Sequence, residues 1–326
     1  MMRQHRPSVL AWAAALFVLG AANGIAAGDS DDHLLFSYFV GNGEDGLHLL
    51  HSADGYQWEP IAGGRSLLTP TAGNDKLMRD SAVTRGPDGR FHMVWTVSWH
   101  ERGIGYSSSA DLIHWAPQRV LPVMEHEPDA RNCWAPEAFY DAATQQYVIC
   151  WATTIPGKFP DTDGQTKRNE ADPGWNHRMY YVTTPDFQQL SPTRLFYDSA
   201  FNAIDATLVS AGDRYAMIVK DETDRPYQPA KNLRVAWSDH ATGPWGDLSE
   251  PITGDYWAEG PTAIRIGEKW FVYFDKYRDH KFGLVTSPDL KSWTDESDRL
   301  HMPGGVRHGT AFRAPAEVVS ALRQLD

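Results

Sequence analysis

Four stretches decide the architecture: PDGRFHMVW (87–95), ATQQYVICW (143–151), AGDRYAMIV (211–219) and IGEKWFVYF (266–274). Each is a polar turn running into a short aromatic and β-branched run, the composition of a hairpin feeding a buried strand. A second element recurs around them, a strand ending in a small residue and Asp, usually followed by Trp. It stands at His51-Ser-Ala-Asp54 with Trp58, Ser109-Ala-Asp111 with Trp115, Thr184-Pro-Asp186, Trp237-Ser-Asp239 with Trp245, and Ser287-Pro-Asp289 with Trp293. The aspartates are 57, 75, 53 and 50 residues apart. Units of roughly 50 residues, each with three or four short strands, predict an all-β, five-bladed β-propeller. The fifth unit has one strand, Gly309–Arg313, before the only helical pattern, Ala316–Leu325. Leu34–Val40 and Leu47–Ser52 are expected to complete that blade, so that strands from both termini close the ring and leave no open edge.

The 326 residues carry 30 Lys+Arg against 42 Asp+Glu, a formal charge of −12 that excludes nucleic acid and anionic membranes as natural partners. The first 27 residues have Arg3 and Arg6, an apolar run from Val9 to about Ala22 and small residues up to Ala27, the pattern of a cleavable signal peptide. The expectation is a secreted or periplasmic protein, with no membrane insertion after cleavage and one catalytic domain over 28–326. Export permits a Cys133–Cys150 disulfide. However, the hairpin formed by Trp134–Tyr140 and Gln146–Ala152 sets Cys150 opposite about Pro136, roughly 10 Å along the strand from Cys133 and beyond disulfide reach. Two buried free thiols are expected.

Upstream of each aromatic strand is a short segment with one acidic residue: Asp80, Glu137, Asp205 and Glu259, lying 11, 10, 10 and 11 residues before Phe91, Tyr147, Tyr215 and Trp270. These carboxylates are expected to occupy one structural position in four blades, with His308 at the matching place in the fifth. The first strand of each blade lines a propeller's axis, so the five side chains converge on one end of it. Clustered carboxylates raise one another's pKa, which suits a general acid and general base working on a glycosidic bond. Trp99, Trp134 and Trp257 flank them as sugar platforms.

This set resembles glycoside hydrolase family 43 over about Leu34–Phe312. The resemblance implies an inverting, exo-acting O-glycoside hydrolase, in which Asp80 is the general base and Glu259, in Glu259-Gly-Pro261, the general acid. Asp205 is implied to orient Glu259 and to keep its pKa high by like-charge repulsion. Trp134-Ala-Pro-Glu137 is similar to the family's Trp-Ala-Pro-Asp element, and Ser81 and Ala206 stand where Pro is usual. The resemblance implies a carbohydrate substrate with α-L-arabinofuranosyl or β-D-xylosyl ends. Terminal galactose, or a non-catalytic glycan-binding propeller, remain as alternatives. No cofactor is required, although relatives of this type suggest calcium near His308.

The second repeat is longer than its neighbours by about 20 residues, and the excess falls in the loop Ile155–Arg178. Placed over the channel, such a loop closes a groove into a pocket, with Trp175, His177 and Arg178 as its substrate contacts. Arg278, in Arg278-Asp-His280, and Lys220-Asp-Glu222 are further candidates for hydrogen bonds to sugar hydroxyls.

Overall fold

The computed structural model describes residues 32–162 and 174–325. The signal segment 1–27 and the middle of the 155–178 loop lie outside the described residues. The chain enters through β1 (Asp32–Tyr38), β2 (His48–Ser52) and the short β3 (Glu59–Pro60). The first complete sheet is β4 (Arg79–Arg85), β5 (Phe91–Thr96), β6 (Ile104–Ser109) and β7 (Arg119–Leu121). The second is β8 (Trp134–Asp141), β9 (Gln146–Thr154), β10 (His177–Thr184) and β11 (Arg194–Tyr197). A three-stranded sheet follows, β12 (Ala203–Ala211), β13 (Arg214–Asp221) and β14 (Asn232–Ser238), and then β15 (Glu259–Ile266), β16 (Lys269–Lys276), β17 (Lys281–Ser287) and β18 (Thr294–Asp295).

Finally β19 (Ala311–Pro315) pairs antiparallel with β1, so the closing sheet runs β19-β1-β2-β3. The innermost strands β4, β8, β12, β15 and β19 each lie against the next, and β19 returns to β4, where Ser81 and Gly309 form a parallel bridge. The ring of five blades is therefore closed by both ends of the described chain, as the repeats predict. Helix α1 (Ala316–Arg323) seals the closing blade by burying Val318, Val319 and Leu322. Among the described residues, no helix is long and apolar enough to cross a membrane.

The four aromatic runs become β5, β9, β13 and β16, the second strand of each sheet, buried on both faces. Period-two alternation sends neighbouring side chains into different gaps between blades. Met93 and Trp95 face the closing blade, whereas Val94 packs with Ile149 and Trp151 of the next. Val148 and Cys150 pack with Met217 and Val219, and Ile218 with Val272 and Phe274. Phe271 and Tyr273 complete the circuit against Phe36 and Leu50. Each large side chain so buried contributes roughly 1.5–3 kcal/mol.

The recurrent aspartates tie the turn after the third strand. Asp54, Asp111, Asp186 and Asp289 each accept two backbone N–H groups, from the second and third residues beyond. The fifth copy departs where its sheet lacks a fourth strand, and Asp239 pairs instead with Arg214 at 2.9 Å. Cys133 and Cys150 are both buried free thiols, as the hairpin register requires.

Candidate active site

Near the start of each of the four inner strands β4, β8, β12 and β15, the pairing with the second strand slips by one residue. The register passes from Arg79↔Thr96 to Ala82↔Val94, from Trp134↔Ala152 to Glu137↔Cys150, from Ile204↔Lys220 to Ala206↔Val219, and from Glu259↔Asp275 to Thr262↔Tyr273. The residue at each slip has a left-handed backbone: Asp80 (φ 53°), Ala135 (φ 46°), Asp205 (φ 53°) and Gly260 (φ 60°). Asp tolerates this region better than most residues, and Gly freely. Such a bulge bends the strand and re-aims a side chain.

The expectation of one shared position for four carboxylates is corrected by this register. Asp80 and Asp205 occupy the bulge itself. Glu259 precedes it by one residue, and Glu137 follows it by two. A Cβ on Gly260 would stand 2.3 Å from the His308 ring, so the fourth blade cannot place a side chain at the bulge and presents its carboxylate from the residue before.

Asp80, Asp205, Glu259 and His308 meet at this end of the axis. Asp80 Oδ2 accepts a hydrogen bond from Thr96 Oγ1 at 2.8 Å, and Thr96 in turn accepts the Ala135 N–H at 2.8 Å. His308 Nδ1 lies 3.5 Å from Asp80 Oδ1. Asp205 is buried, and its Oδ2 accepts the Gly260 N–H at 3.0 Å. Glu259 is held by two cations, Lys220 Nζ at 3.1 Å from Oε2 and Arg307 Nη2 at 3.2 Å from Oε1. Arg307 also reaches Asp275 Oδ2, at 2.7 Å.

These neighbours invert the expected pKa assignment. Burial pushes Asp205 up to about 6; Glu259 and Asp80 add to the rise, while His308 and Lys220 oppose it. Burial also acts to raise Glu259, but Lys220 and Arg307 outweigh it and hold the carboxyl below its ordinary value. Like-charge repulsion is present, yet it falls on Asp205. Burial likewise raises Asp275 to about 6, against the pull of Arg307.

One flank carries the aromatic residues. The Trp99 ring lies edge-on to Trp134 at 5.3 Å, and Arg79 covers its other side at 4.4 Å. Trp134 lies 4.4 Å from Trp175, which stacks on His177 at 5.6 Å and carries Arg131 over its ring at 4.0 Å. His177 is buried and its Nδ1 faces Asn202 Oδ1 at 3.0 Å, an amide that also accepts the His177 N–H. Burial takes its pKa down to about 4. On the other flank, Arg278 lies over Trp257 at 4.1 Å. The returning end of the long loop thus brings Trp175 onto Trp134, joining it to two of the expected platforms, Trp134 and Trp99.

Two expected substrate contacts are placed elsewhere. Arg178 follows His177 on β10 and therefore points to the opposite face. Its guanidinium, 1% exposed, bonds Asp198, Asn176, the His177 carbonyl and Thr162, knitting the described flanks of the loop together. Glu137 lies past the bulge, in an axial channel of about 340 Å³ shared with Thr262 and Thr310, and accepts a hydrogen bond from Thr207 at 3.1 Å. Sequence reasoning missed Arg307 and Asp275 as members of the site, and it read Lys220 as a sugar contact. The signal for Lys220 and Asp275 was a charged residue near the end of an otherwise apolar buried strand, as in YAMIVK (215–220) and FVYFD (271–275); Arg307 lies outside any strand and carried no such signal.

Among the described residues, no group of three or more His, Cys, Asp or Glu is arranged to hold a metal. His308 Nδ1 faces Asp80, and the carbon edge of its ring packs against Gly260.

A family model for a glycoside hydrolase 43-related domain, described as "Probable glycosyl hydrolase domain", matches residues 30–314. The chain belongs to that family. An α-L-arabinofuranosidase of Bifidobacterium longum subsp. longum is 23% identical to this glycoside hydrolase 43-related chain over 239 residues, which is 63% of the chain and 22% of the relative. The chain thus spans about a fifth of the length of that curated relative. A solved thermostable family-43 glycoside hydrolase superposes with a TM-score of 0.52 at 15% identity, over 71% of this chain and 78% of that one. The exo-β-1,3-galactanase 1,3Gal43A of Clostridium thermocellum gives 0.50 at 13% identity, over 67% and 47%. Both likenesses are of fold.

Proposed function

We propose that this glycoside hydrolase 43-related chain cleaves terminal glycosidic bonds by single displacement, with inversion at the anomeric carbon. The observation that carries the reading is the pair of matching bulges that turn Asp80 and Asp205 toward Glu259 and its cations. Asp80 takes a proton from water as the water oxygen bonds to the anomeric carbon. Glu259 gives its proton to the glycosidic oxygen as that bond breaks. Asp205 fixes the backbone next to the acid through the Gly260 N–H. Trp134 and Trp257 offer ring faces to the sugar, and Trp175 backs Trp134.

The named activity of the Bifidobacterium relative favours α-L-arabinofuranosyl ends, with β-D-xylosyl next. Galactosyl ends are the second reading, favoured by the fold likeness to the galactanase. The test is hydrolysis of aryl α-L-arabinofuranoside, β-D-xyloside and β-D-galactoside, with proton NMR of the first-formed sugar. Cleavage of one glycoside with inverted product is expected. Retained configuration overturns the mechanism, and glycan binding without cleavage overturns the enzyme.

We also propose export with removal of residues 1–27, on the strength of the basic, apolar and small-residue succession at the N-terminus. The N-terminal sequence of the secreted or periplasmic protein tests it. A first residue near Gly28 is expected, and an intact Met1 overturns it.

A further inference from the structure

Lys220 is the penultimate residue of β13, opposite Ile204, the residue before the Asp205 bulge. Its side chain is 1% exposed, and a buried ammonium persists only when paired. It has two competing partners, Glu259 Oε2 at 3.1 Å and Glu222 Oε2 at 2.6 Å. Glu222 is itself shared, because the buried Lys231 Nζ lies 2.6 Å from its Oε1 and 3.2 Å from Asp224 Oδ2. A line of alternating charge therefore runs from Glu259 through Lys220, Glu222 and Lys231 to Asp224.

We propose that Lys220 is a positioning residue for the general acid, and that Glu222 tunes it by drawing the ammonium away from Glu259. The proposal rests on the reading of Glu259 as the acid. The shorter ion pair goes to Glu222 and the aligned hydrogen bond to Glu259, so the Glu222 carboxylate controls how much positive charge the acid feels. The other ionisable groups facing this pair are Tyr277 and Asp205 beside Lys220, and Arg307, His308 and Asp275 beside Glu259. All are retained in the variants below, so any shift reports the clamp.

The experiment follows the Glu259 carboxyl by carbon-13 NMR titration, with the pH profile of kcat/KM alongside, in the wild type, Lys220→Gln, Lys220→Arg and Glu222→Gln. Lys220→Gln is expected to move the Glu259 titration and the alkaline limb upward by about one pH unit or more. Glu222→Gln leaves Lys220 to Glu259 alone and is expected to move both downward. Lys220→Arg restores the wild-type position. Shifts in the same direction, or none, overturn the proposal. Glu222→Gln keeps a partner for the buried ammonium, so its downward shift decides the matter even where Lys220→Gln does not fold. Full hydrolysis by Glu259→Gln would instead overturn the assignment of the acid, and the NMR titration would still judge the clamp.

Discussion

Glu259→Gln is expected to lower kcat about 10³-fold, roughly 4 kcal/mol of barrier, on glycosides with a poor leaving group, and far less on a dinitrophenyl glycoside. The difference follows from what the carboxyl does. A leaving oxygen that is a strong base must be protonated as it departs, whereas dinitrophenolate departs unaided. Asp80→Asn is expected to lose a similar factor on both kinds of substrate, because water must be activated whatever group leaves. Rate measurements on the two leaving groups check the pair together. Equal losses by Glu259→Gln on both would remove Glu259 from the acid's role. The cations at 3.1 and 3.2 Å from Glu259 add a condition: they keep it ionised in the free site, so the reactive form is a minority above its lowered pKa and turnover falls as pH rises. A substrate that excludes water strengthens every interaction in the pocket, and whether it pulls the acid toward the leaving oxygen or leaves it with Lys220 sets how steep that fall is.

The repeats made the propeller legible because each blade must bury the same aromatic second strand. The ring's closure was legible for the same reason, since an incomplete last unit leaves an apolar edge that only the N-terminal strands can cover. What was not legible was the register of the inner strands. Spacings of 10 and 11 residues to the aromatic strand looked like one position, but hairpin lengths differ between blades and the bulge falls at Asp80 and Asp205, after Glu259 and before Glu137. Glu137 and Ala135 differ by two residues, one strand period, and that is the distance between the channel and the site. Adjacent His177 and Arg178 were read as partners on one surface, although a strand sends them to opposite faces. The environment of Glu259 was hidden for another reason. Lys220 and Arg307 come from segments 39 and 48 residues from Glu259, and only folding brings their charges to it.

Glu137 yields the second large effect, on stability instead of rate. It sits in the axial channel with Thr207 as its hydrogen-bond partner, and burial pushes its carboxyl up to about 8. An unfolded Glu releases its proton near pH 4.5, so between that pH and 8 the folded chain binds a proton that the unfolded chain does not. Stability from this group is therefore complete below about pH 4.5 and is lost as pH rises through 8. A shift of this size corresponds to several kcal/mol at its limit, and the partial exposure of Glu137 reduces it to on the order of 3 kcal/mol. Glu137→Gln mimics the protonated carboxyl and keeps an acceptor for Thr207. The variant is expected to match the wild type in turnover at pH 6 and in stability near pH 4.5, and to exceed it in Tm by several degrees at pH 9. Denaturation curves at pH 4.5 and pH 9 check this. Parallel behaviour of the two proteins would mean that the channel solvates an ionised Glu137, and a loss of turnover at pH 6 would return the residue to the substrate site from which the register excludes it.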